Sequence, residues 1–264
     1  MTSYARPQSP PAPQSPLLTR RGVVAGTLAL AAGAALPLAA AGTARARTGP
    51  QIAACATWGA RQPSEPVVVL ATQPRRIVVH HTATANVTDY SQKRAYALAR
   101  AIQTFHMDAQ GWIDTGQHFT VSRGAFVMEG RHNSLAELRV GGHQVRSAHC
   151  IGQNNVSIGI ENEGTYSTEE PPAAQYAALA DLCAHICSQY GLPPSEIYGH
   201  RDFNQTACPG DRLYALLPTL RKDVAARLGT TVSDPLWDMV RDALDRNRPT
   251  PLPEYLPNGL LPGA

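Results

Sequence analysis

The sequence predicts an α/β domain in which a central mixed β-sheet is flanked by helices. Short β-branched runs bounded by turn residues indicate buried strands, and longer segments with a 3.6-residue apolar period indicate amphipathic helices. The two kinds of segment are intermixed along the chain, as expected for a layered α/β fold. Once an apparent leader is set aside, residues 47–264 remain, which is enough chain for one sizeable core.

The first 46 residues have the features of an export signal. Arg20 and Arg21 stand directly before an Ala- and Leu-rich run over 22–44, and a small-x-small cleavage pattern ends at Ala46. We therefore expect a twin-arginine signal peptide over 1–46 and a mature protein secreted to the cell wall. The alternative is an uncleaved membrane anchor, because the apolar run approaches the roughly 20 residues that span a bilayer.

The charge of the mature chain disfavours nucleic acid as a partner. The whole sequence carries a net charge of +3, from 23 basic and 20 acidic residues. Residues 1–46 contain four arginines and no acidic residue, so 19 basic against 20 acidic residues remain, a net charge of −1. A nucleic-acid-binding domain is expected to keep a basic patch in its folded part.

The first half of the mature chain predicts one strand, one helix and a hairpin. Residues 75–81 are apolar and β-branched, and this predicted strand ends on two histidines. Residues 92–107 carry apolar side chains at helical spacing, and Gly111 follows as a stop signal. The alternating runs 117–121 and 125–129 are typical of a hairpin.

The second half continues the pattern. Residues 156–161 predict an apolar strand that ends on a carboxylate, and residues 173–190 predict the clearest helix of the chain. A short strand over 197–200 and a helix over 211–227 follow. We therefore assign one folded domain to 47–228, expected to be monomeric.

The tail over 229–264 differs in composition from the folded domain. A short helical pattern lies around 236–244, and a proline-rich run follows it. This composition is typical of a flexible appendage.

Five cysteines form an odd set in a chain expected to be exported. An oxidising compartment favours their pairing, which leaves one over. Cys183 and Cys187 lie one turn apart on the predicted helix and are poor partners for each other. We therefore expect each to pair with Cys55 or Cys150, with Cys208 unpaired. The alternative is that some of these cysteines are simply buried small apolar residues.

Three residues fit the ligand set of a catalytic zinc, which takes three protein ligands and leaves one position open. They are His80, His200 and Cys208. Cys208 lies eight residues beyond His200, and a loop of that length, closed by Pro-Gly, can fold back to one ion. A zinc peptidase of another kind would also bind zinc through three protein ligands, but the chain contains no His-Glu-x-x-His motif.

Several segments resemble the peptidoglycan recognition protein and phage-lysozyme amidase family. They read IVVHHTA at 77–83, SIGIE at 157–161, GHR at 199–201 and TACPG at 206–210, and WGAR at 58–61 resembles the opening motif of the recognition-protein branch. The resemblance implies an open substrate groove with zinc at its base. It also implies Zn2+-dependent hydrolysis of the amide between N-acetylmuramic acid and L-alanine of peptidoglycan. A non-catalytic peptidoglycan-binding protein on the same fold is the alternative.

The resemblance also assigns the site residues. His80, His200 and Cys208 match the family's zinc ligands, whereas His81 points to the other face of the strand and is expected to be packed. Glu161 resembles the carboxylate that related cell-wall recycling amidases hold near zinc, where it can act as base and then as acid. The alternative for Glu161 is an ion pair with a surface cation.

The chain departs from the family pattern at two positions. Gln117 stands where the resemblance suggests a tyrosine, and Thr206 stands where a lysine is frequent, so a weaker donor faces the developing oxyanion.

His149 and Asn155 lie in a stretch that resembles the lining of the substrate groove. We predict that Gln117, His149 and Asn155 bind substrate, although His149 can equally orient its loop. Three residues are candidates to hold the second nitrogen of a ligand histidine: Asp202, Asn204 and Asp211.

Overall fold

The structure is a computed structural model that describes residues 49–230. The expected signal peptide over 1–46 and nearly all of the predicted C-terminal tail lie outside the described residues. Among the helices within 49–230, none has the length and apolar character needed to cross a lipid bilayer.

A six-stranded mixed sheet forms the centre of the domain. Its strands are β1 (Ile52–Ala53), β3 (Arg76–His81), β4 (Phe119–Val121), β5 (Val127–Glu129), β7 (Ser157–Asn162) and β8 (Ile197–Gly199), and a separate antiparallel pair consists of β2 (Val69–Leu70) and β6 (Gln144–Val145). The order in the sheet is β1-β5-β4-β7-β3-β8. Within the six described strands of this sheet, only β4 and β5 pair antiparallel, as the predicted hairpin requires, and the other neighbours are parallel. The mixed central sheet predicted from the sequence is confirmed.

Within residues 49–230, six α-helices surround the sheet: α1 (Cys55–Trp58), α2 (Gln92–Thr104), α3 (Ser134–Val140), α4 (Ala173–Tyr190), α5 (Asp211–Ala215) and α6 (Leu217–Leu228). The helix predicted over 173–190 is confirmed with the same bounds. The helix predicted over 211–227 is divided at Leu216. Pro218 explains the division, because a proline is tolerated in the first turn of a helix but disrupts its interior.

The two faces of the sheet bury different clusters. Alternate strand residues, such as Ile77, Phe119 and Ile160, join the inner faces of α4 and α6 in the main core. On the opposite face, Met128 packs with α1 and with Ala95 of α2 in a smaller cluster. The helix α2 therefore covers the β5 side of this second face. Polar side chains of β3 and β7, such as His80 and Glu161, also lie on this second face.

None of the expected disulfides forms, and each of the five cysteines lacks a disulfide bond. Cys183 and Cys187 extend from α4 into the main core, whereas Cys55 belongs to the cluster on the other face. Cys150 instead donates its S–H to Oδ1 of Asn204, with 3.2 Å between sulfur and oxygen. The predicted pairing is therefore wrong. The alternative, buried cysteines acting as small apolar residues, describes Cys183 and Cys187.

Candidate metal centre and active site

The three predicted ligands meet at the carboxyl ends of two neighbouring parallel strands. His80 is the penultimate residue of β3, and His200 follows directly on β8, which pairs with β3. Cys208 returns to the same place at the end of the loop that His200 begins. One ligand atom from each residue lies within 4.8 Å of the other two. The structure thus brings together all three residues of the predicted set.

The loop that carries Cys208 is held by Arg201. The backbone N–H of Arg201 donates to the carbonyl of Cys208 at 3.0 Å, and its guanidinium donates to the carbonyl of Ala207. A second guanidinium nitrogen lies 2.7 Å from Oδ1 of Asp211. These contacts fold the loop back on itself, as the spacing of His200 and Cys208 requires.

The orientation of the His80 ring is fixed through both nitrogens. Nδ1 lies 3.6 Å from Sγ of Cys208, and Nε2 lies 2.9 Å from Nδ1 of His149. Nδ1 is therefore the nitrogen that faces a second ligand. Burial, reinforced by the nearby His200 and His149, lowers the pKa of His80 well below its usual value. The neutral imidazole that a metal requires is thus the stable form.

His200 is oriented from its far side. Its Nε2 lies 3.0 Å from Oδ1 of Asn204, so a metal bound by this ring would take Nδ1. Of the three candidates for this outer contact, the structure selects Asn204. Asp202 accepts the backbone N–H of Gly199, and Asp211 pairs with a guanidinium.

His81 occupies the opposite face of β3, as strand alternation predicts. Its side chain is buried, and Nδ1 accepts the backbone N–H of Tyr166 at 3.2 Å. The prediction of a packed histidine is confirmed. The backbone N–H of His81 also donates to Sγ of Cys208 at 3.4 Å, so the strand itself helps to position the third ligand.

Glu161 lies beside the ligand set on the same face of the sheet. It is the Cα partner of His80 across the parallel pair β7–β3, and the partner of Thr120 across β4–β7. In-register neighbours on adjacent strands face the same side and are separated by about 4.8 Å. The carboxylate is half-buried. Its side chain therefore extends from the sheet next to that of His80.

The other predicted site residues differ in their access to a substrate. Thr206 lies next to the centre, because its hydroxyl accepts the backbone N–H of Cys208 at 3.2 Å. Asn155 is exposed. Gln117 is 1% exposed, and its Nε2 donates to Oγ1 of Thr120 at 2.9 Å. The amide of Gln117 is thus buried beside Thr120, the register partner of Glu161, and its predicted contact with substrate stays a prediction.

His149 is engaged inside the protein through both ring nitrogens. Nδ1 contacts His80, and Nε2 lies 3.3 Å from Oγ of Ser157. The ring rests on Gly159, where an added Cβ would lie 2.3 Å from Cδ2 of His149. These contacts place His149 to orient His80, and its predicted contact with substrate stays a prediction. The sequence reasoning missed Gly159, although a lone glycine in an apolar strand signals such a close approach.

A family model matches residues 70–211, a stretch that contains all three ligands and Glu161. The model describes the N-acetylmuramoyl-L-alanine amidase family, Amidase_2. The fold and the site together define a peptidoglycan-related α/β protein of the amidase and recognition-protein type. The chain belongs to the N-acetylmuramoyl-L-alanine amidase family.

Curated relatives include both amidases and recognition proteins. The chain is 35% identical over 147 residues to the human N-acetylmuramoyl-L-alanine amidase, which covers 54% of this chain and 23% of the human protein. It is 32% identical over 174 residues to peptidoglycan-recognition protein SC2 of Drosophila melanogaster, covering 65% of this chain and 86% of the relative. The chain therefore spans less than a quarter of the human relative and most of the fly protein.

Solved structures show the same fold. The wild-type Drosophila recognition protein PGRP-LB is 26% identical with a TM-score of 0.55, over 70% of this chain and 98% of that one. A structure of tracheal cytotoxin bound to the ectodomain complex of PGRP-LCa and PGRP-LCx gives a TM-score of 0.55 at 30% identity. This match covers 63% of our chain and 93% of the recognition-protein chain.

Proposed function

We propose that this protein is a secreted zinc amidase that cleaves the amide bond between N-acetylmuramic acid and the L-alanine of the peptidoglycan stem peptide. One observation supports this most strongly. The His80, His200 and Cys208 ligand set converges at the strand ends, and Glu161 is paired directly with the first of these ligands. A protein that only binds peptidoglycan has no need of a carboxylate at that place.

The donors fit zinc. Two imidazoles and one thiolate form a set that zinc accepts in catalytic sites, and harder cations prefer oxygen ligands. We assign Nδ1 of His80, Nδ1 of His200 and Sγ of Cys208 as the ligand atoms, because Nε2 of each ring is held by another side chain. When bound, zinc supplies a water of lowered pKa and polarises the scissile carbonyl.

The residues of the chain then carry the proton and orient the groups. Glu161 accepts a proton from the attacking water as its oxygen bonds to the lactyl carbonyl carbon. The same carboxyl delivers that proton to the alanine nitrogen as the carbon–nitrogen bond breaks. The hydroxyl of Thr206 donates toward the carbonyl oxygen while negative charge develops there. The products are a free lactyl carboxylate and a peptide with a free alanine amino terminus.

A binding protein on the same fold is the second candidate. One relative is named peptidoglycan-recognition protein SC2, and the similar recognition proteins PGRP-LCa and PGRP-LCx have been solved with bound tracheal cytotoxin. Gln117 is the residue that most favours a binder, because it stands where the resemblance suggests a phenol and an amide cannot do acid–base work. The amide of Gln117 contacts Thr120 beside Glu161, and the carboxylate of Glu161 is the feature that weighs in favour of hydrolysis.

Incubation of the purified mature chain, residues 47–264, with cell-wall fragments separates the two candidates. An amidase releases peptides with new alanine amino termini, loses this activity to a chelator and recovers it with Zn2+. Retention of the protein on the cell wall without released peptides, whether or not zinc is added, would support the binder.

Export is a separate part of the proposal and rests on the sequence of 1–46 alone. Amino-terminal sequencing of the exported protein should begin at Arg47, after cleavage at the small-residue site. A membrane-associated protein that retains residues 1–46 would instead identify the apolar run as an anchor.

A further inference from the structure

We propose that one loop, residues 147–155, holds both imidazole ligands of the metal centre in position, with His149 and Asn204 as positioning residues. We call this segment the bracing loop. The inference rests on the proposed zinc site and goes beyond it, because it assigns a role to residues other than the metal ligands and the proposed base.

The first contact of the bracing loop is made by His149. This ring lies 2.9 Å from Nε2 of His80 and is itself held by Ser157. Gly159 has no Cβ, and this leaves the space in which the His149 ring lies against the sheet. A ring that is fixed on both sides in this way sets the rotation and the tautomer of His80.

The second contact runs through Asn204. Its Oδ1 lies 3.0 Å from Nε2 of His200 and also accepts the S–H of Cys150 at 3.2 Å. Its Nδ2 donates to the carbonyl of Ile151 at 3.3 Å. The side chain that orients His200 is thus bound to the two residues that follow His149 in the chain.

Internal hydrogen bonds make the bracing loop a stiff unit. Oδ1 of Asn154 accepts the backbone N–H of Cys150 at 2.9 Å and the hydroxyl of Ser147 at 3.3 Å. The backbone N–H of Ser147 donates to the carbonyl of Asn154 at 3.1 Å. Cys150 is 2% exposed, whereas Ile151 beside it is 83% exposed. One closed loop therefore supports two predicted ligands, one within β3 and the other directly after β8.

Loss of the His149 or Asn204 contact should lower the affinity of the centre for its metal. Outer partners of ligand histidines fix the ring and raise its basicity, and their loss typically weakens metal binding by about 10–100-fold. The two contacts share one loop, so damage to either should loosen the centre without removing a ligand.

The test measures Zn2+ affinity by competition with a chromophoric chelator, and the absorption spectrum of the Co2+-loaded chain. Asn204→Ala and His149→Ala should each weaken Zn2+ binding by about 10–100-fold and alter the Co2+ bands. Asn204→Asp and His149→Gln, which retain hydrogen-bonding groups, should recover most of the affinity. Replacement of the exposed His143 by Ala is the matched control and should change neither measurement.

A milder variant keeps the test decisive if these variants fold poorly. Cys150→Ala leaves all ligands and both positioning residues in place and removes one hydrogen bond, so affinity should fall by about 2–12-fold. If the wild-type chain binds zinc and every variant keeps its affinity and Co2+ spectrum, the bracing role is overturned while the amidase proposal stands. If the wild-type chain binds no zinc, the proposed metal centre itself fails, and the bracing role with it.

Discussion

His80 and Glu161 are register partners on the neighbouring parallel strands β3 and β7, so their side chains lie on the same face of the sheet. The pairing places a predicted metal ligand and the proposed general base side by side on the central sheet. His200 and Cys208 come instead from the loop after β8. Two of the site residues, His80 and Glu161, therefore lie on the sheet. The other two, His200 and Cys208, depend on loop contacts for their positions.

Glu161→Gln should abolish hydrolysis while zinc remains bound. The amide keeps the size of the side chain but cannot accept and deliver the proton, so kcat should fall by about 10²–10⁴-fold. Zinc content by elemental analysis and kcat on cell-wall fragments are the two measurements. The exposed Glu170 offers the matched control, since Glu170→Gln should behave as the wild type. Unchanged turnover of Glu161→Gln would remove our assignment of the base.

Cys208→Ser should weaken zinc binding more than the loss of any outer contact does. Serine replaces a soft thiolate with a hydroxyl that is not ionised at neutral pH, so affinity should fall by more than the ~10–100-fold typical of outer partners. Chelator competition measures the change. Cys55→Ser, in the cluster on α1, is the control and should retain wild-type affinity. A Cys208→Ser protein with wild-type affinity would show that Cys208 is not a ligand.

Gly159→Ala should destabilise the domain by about 1–3 kcal/mol, as is typical when a methyl group is forced into a packed site. The added Cβ would lie 2.3 Å from the His149 ring. Urea denaturation measures the free energy of unfolding. At the exposed Gly142 a Cβ meets nothing closer than 3.8 Å, so Gly142→Ala is the control. Combination with His149→Ala should relieve the clash, and a double variant as unstable as the sum of the single changes would contradict the contact.

The metal-free domain should lose stability as the pH falls from 6.5 toward 4. Burial lowers the pKa of His118 to about 4, and the positive charge of Arg131 acts in the same direction. In the folded state Nδ1 of His118 accepts the backbone N–H of Gly159 at 2.9 Å. Between these values the unfolded chain binds more protons than the folded one, so the free energy of unfolding rises with pH. The stability is complete above 6.5 and is lost on the way to 4. Other buried histidines with lowered pKa values add to the slope: His80, His106 and His149.

His118→Gln isolates one contribution to this slope. The variant should flatten the pH dependence of the free energy of unfolding by an amount on the order of 3 kcal/mol at most. The exposed His143, replaced in the same way, should leave the slope as it is. Denaturant titrations from pH 4 to pH 7.5 in the presence of a chelator provide the data, and an unaltered slope for His118→Gln would contradict the burial argument.

Local patterns predicted most of the fold. The helix over 173–190 and the strand that ends at His80 follow from periodicity and β-branching, which depend only on neighbouring residues. The break at Leu216 was missed because Pro218 was not weighed against a continuous helical pattern. The short parallel pairing of β1 with β5 was missed too, since it joins residues that are far apart in the chain.

In the site, too, local motifs predicted some residues, whereas contacts made only on folding were missed. The ligand set and Glu161 came from motif order, and the structure places them together. The contact of Asn204 with His200 was one of three open choices, because only the folded loop decides which side chain reaches the ring. The disulfides were predicted wrongly for a related reason. The number of cysteines says nothing about which face of the sheet each one occupies.

Hydrolysis of peptidoglycan in H2¹⁸O by the zinc-loaded mature chain tests the central claim most directly. Mass spectrometry of the products should find one ¹⁸O in the lactyl carboxylate of N-acetylmuramic acid, and an unlabelled peptide that begins with a free alanine amino group. Label in a peptide carboxylate, or intact muropeptides after prolonged incubation with zinc, would contradict the assignment of this protein as the amidase.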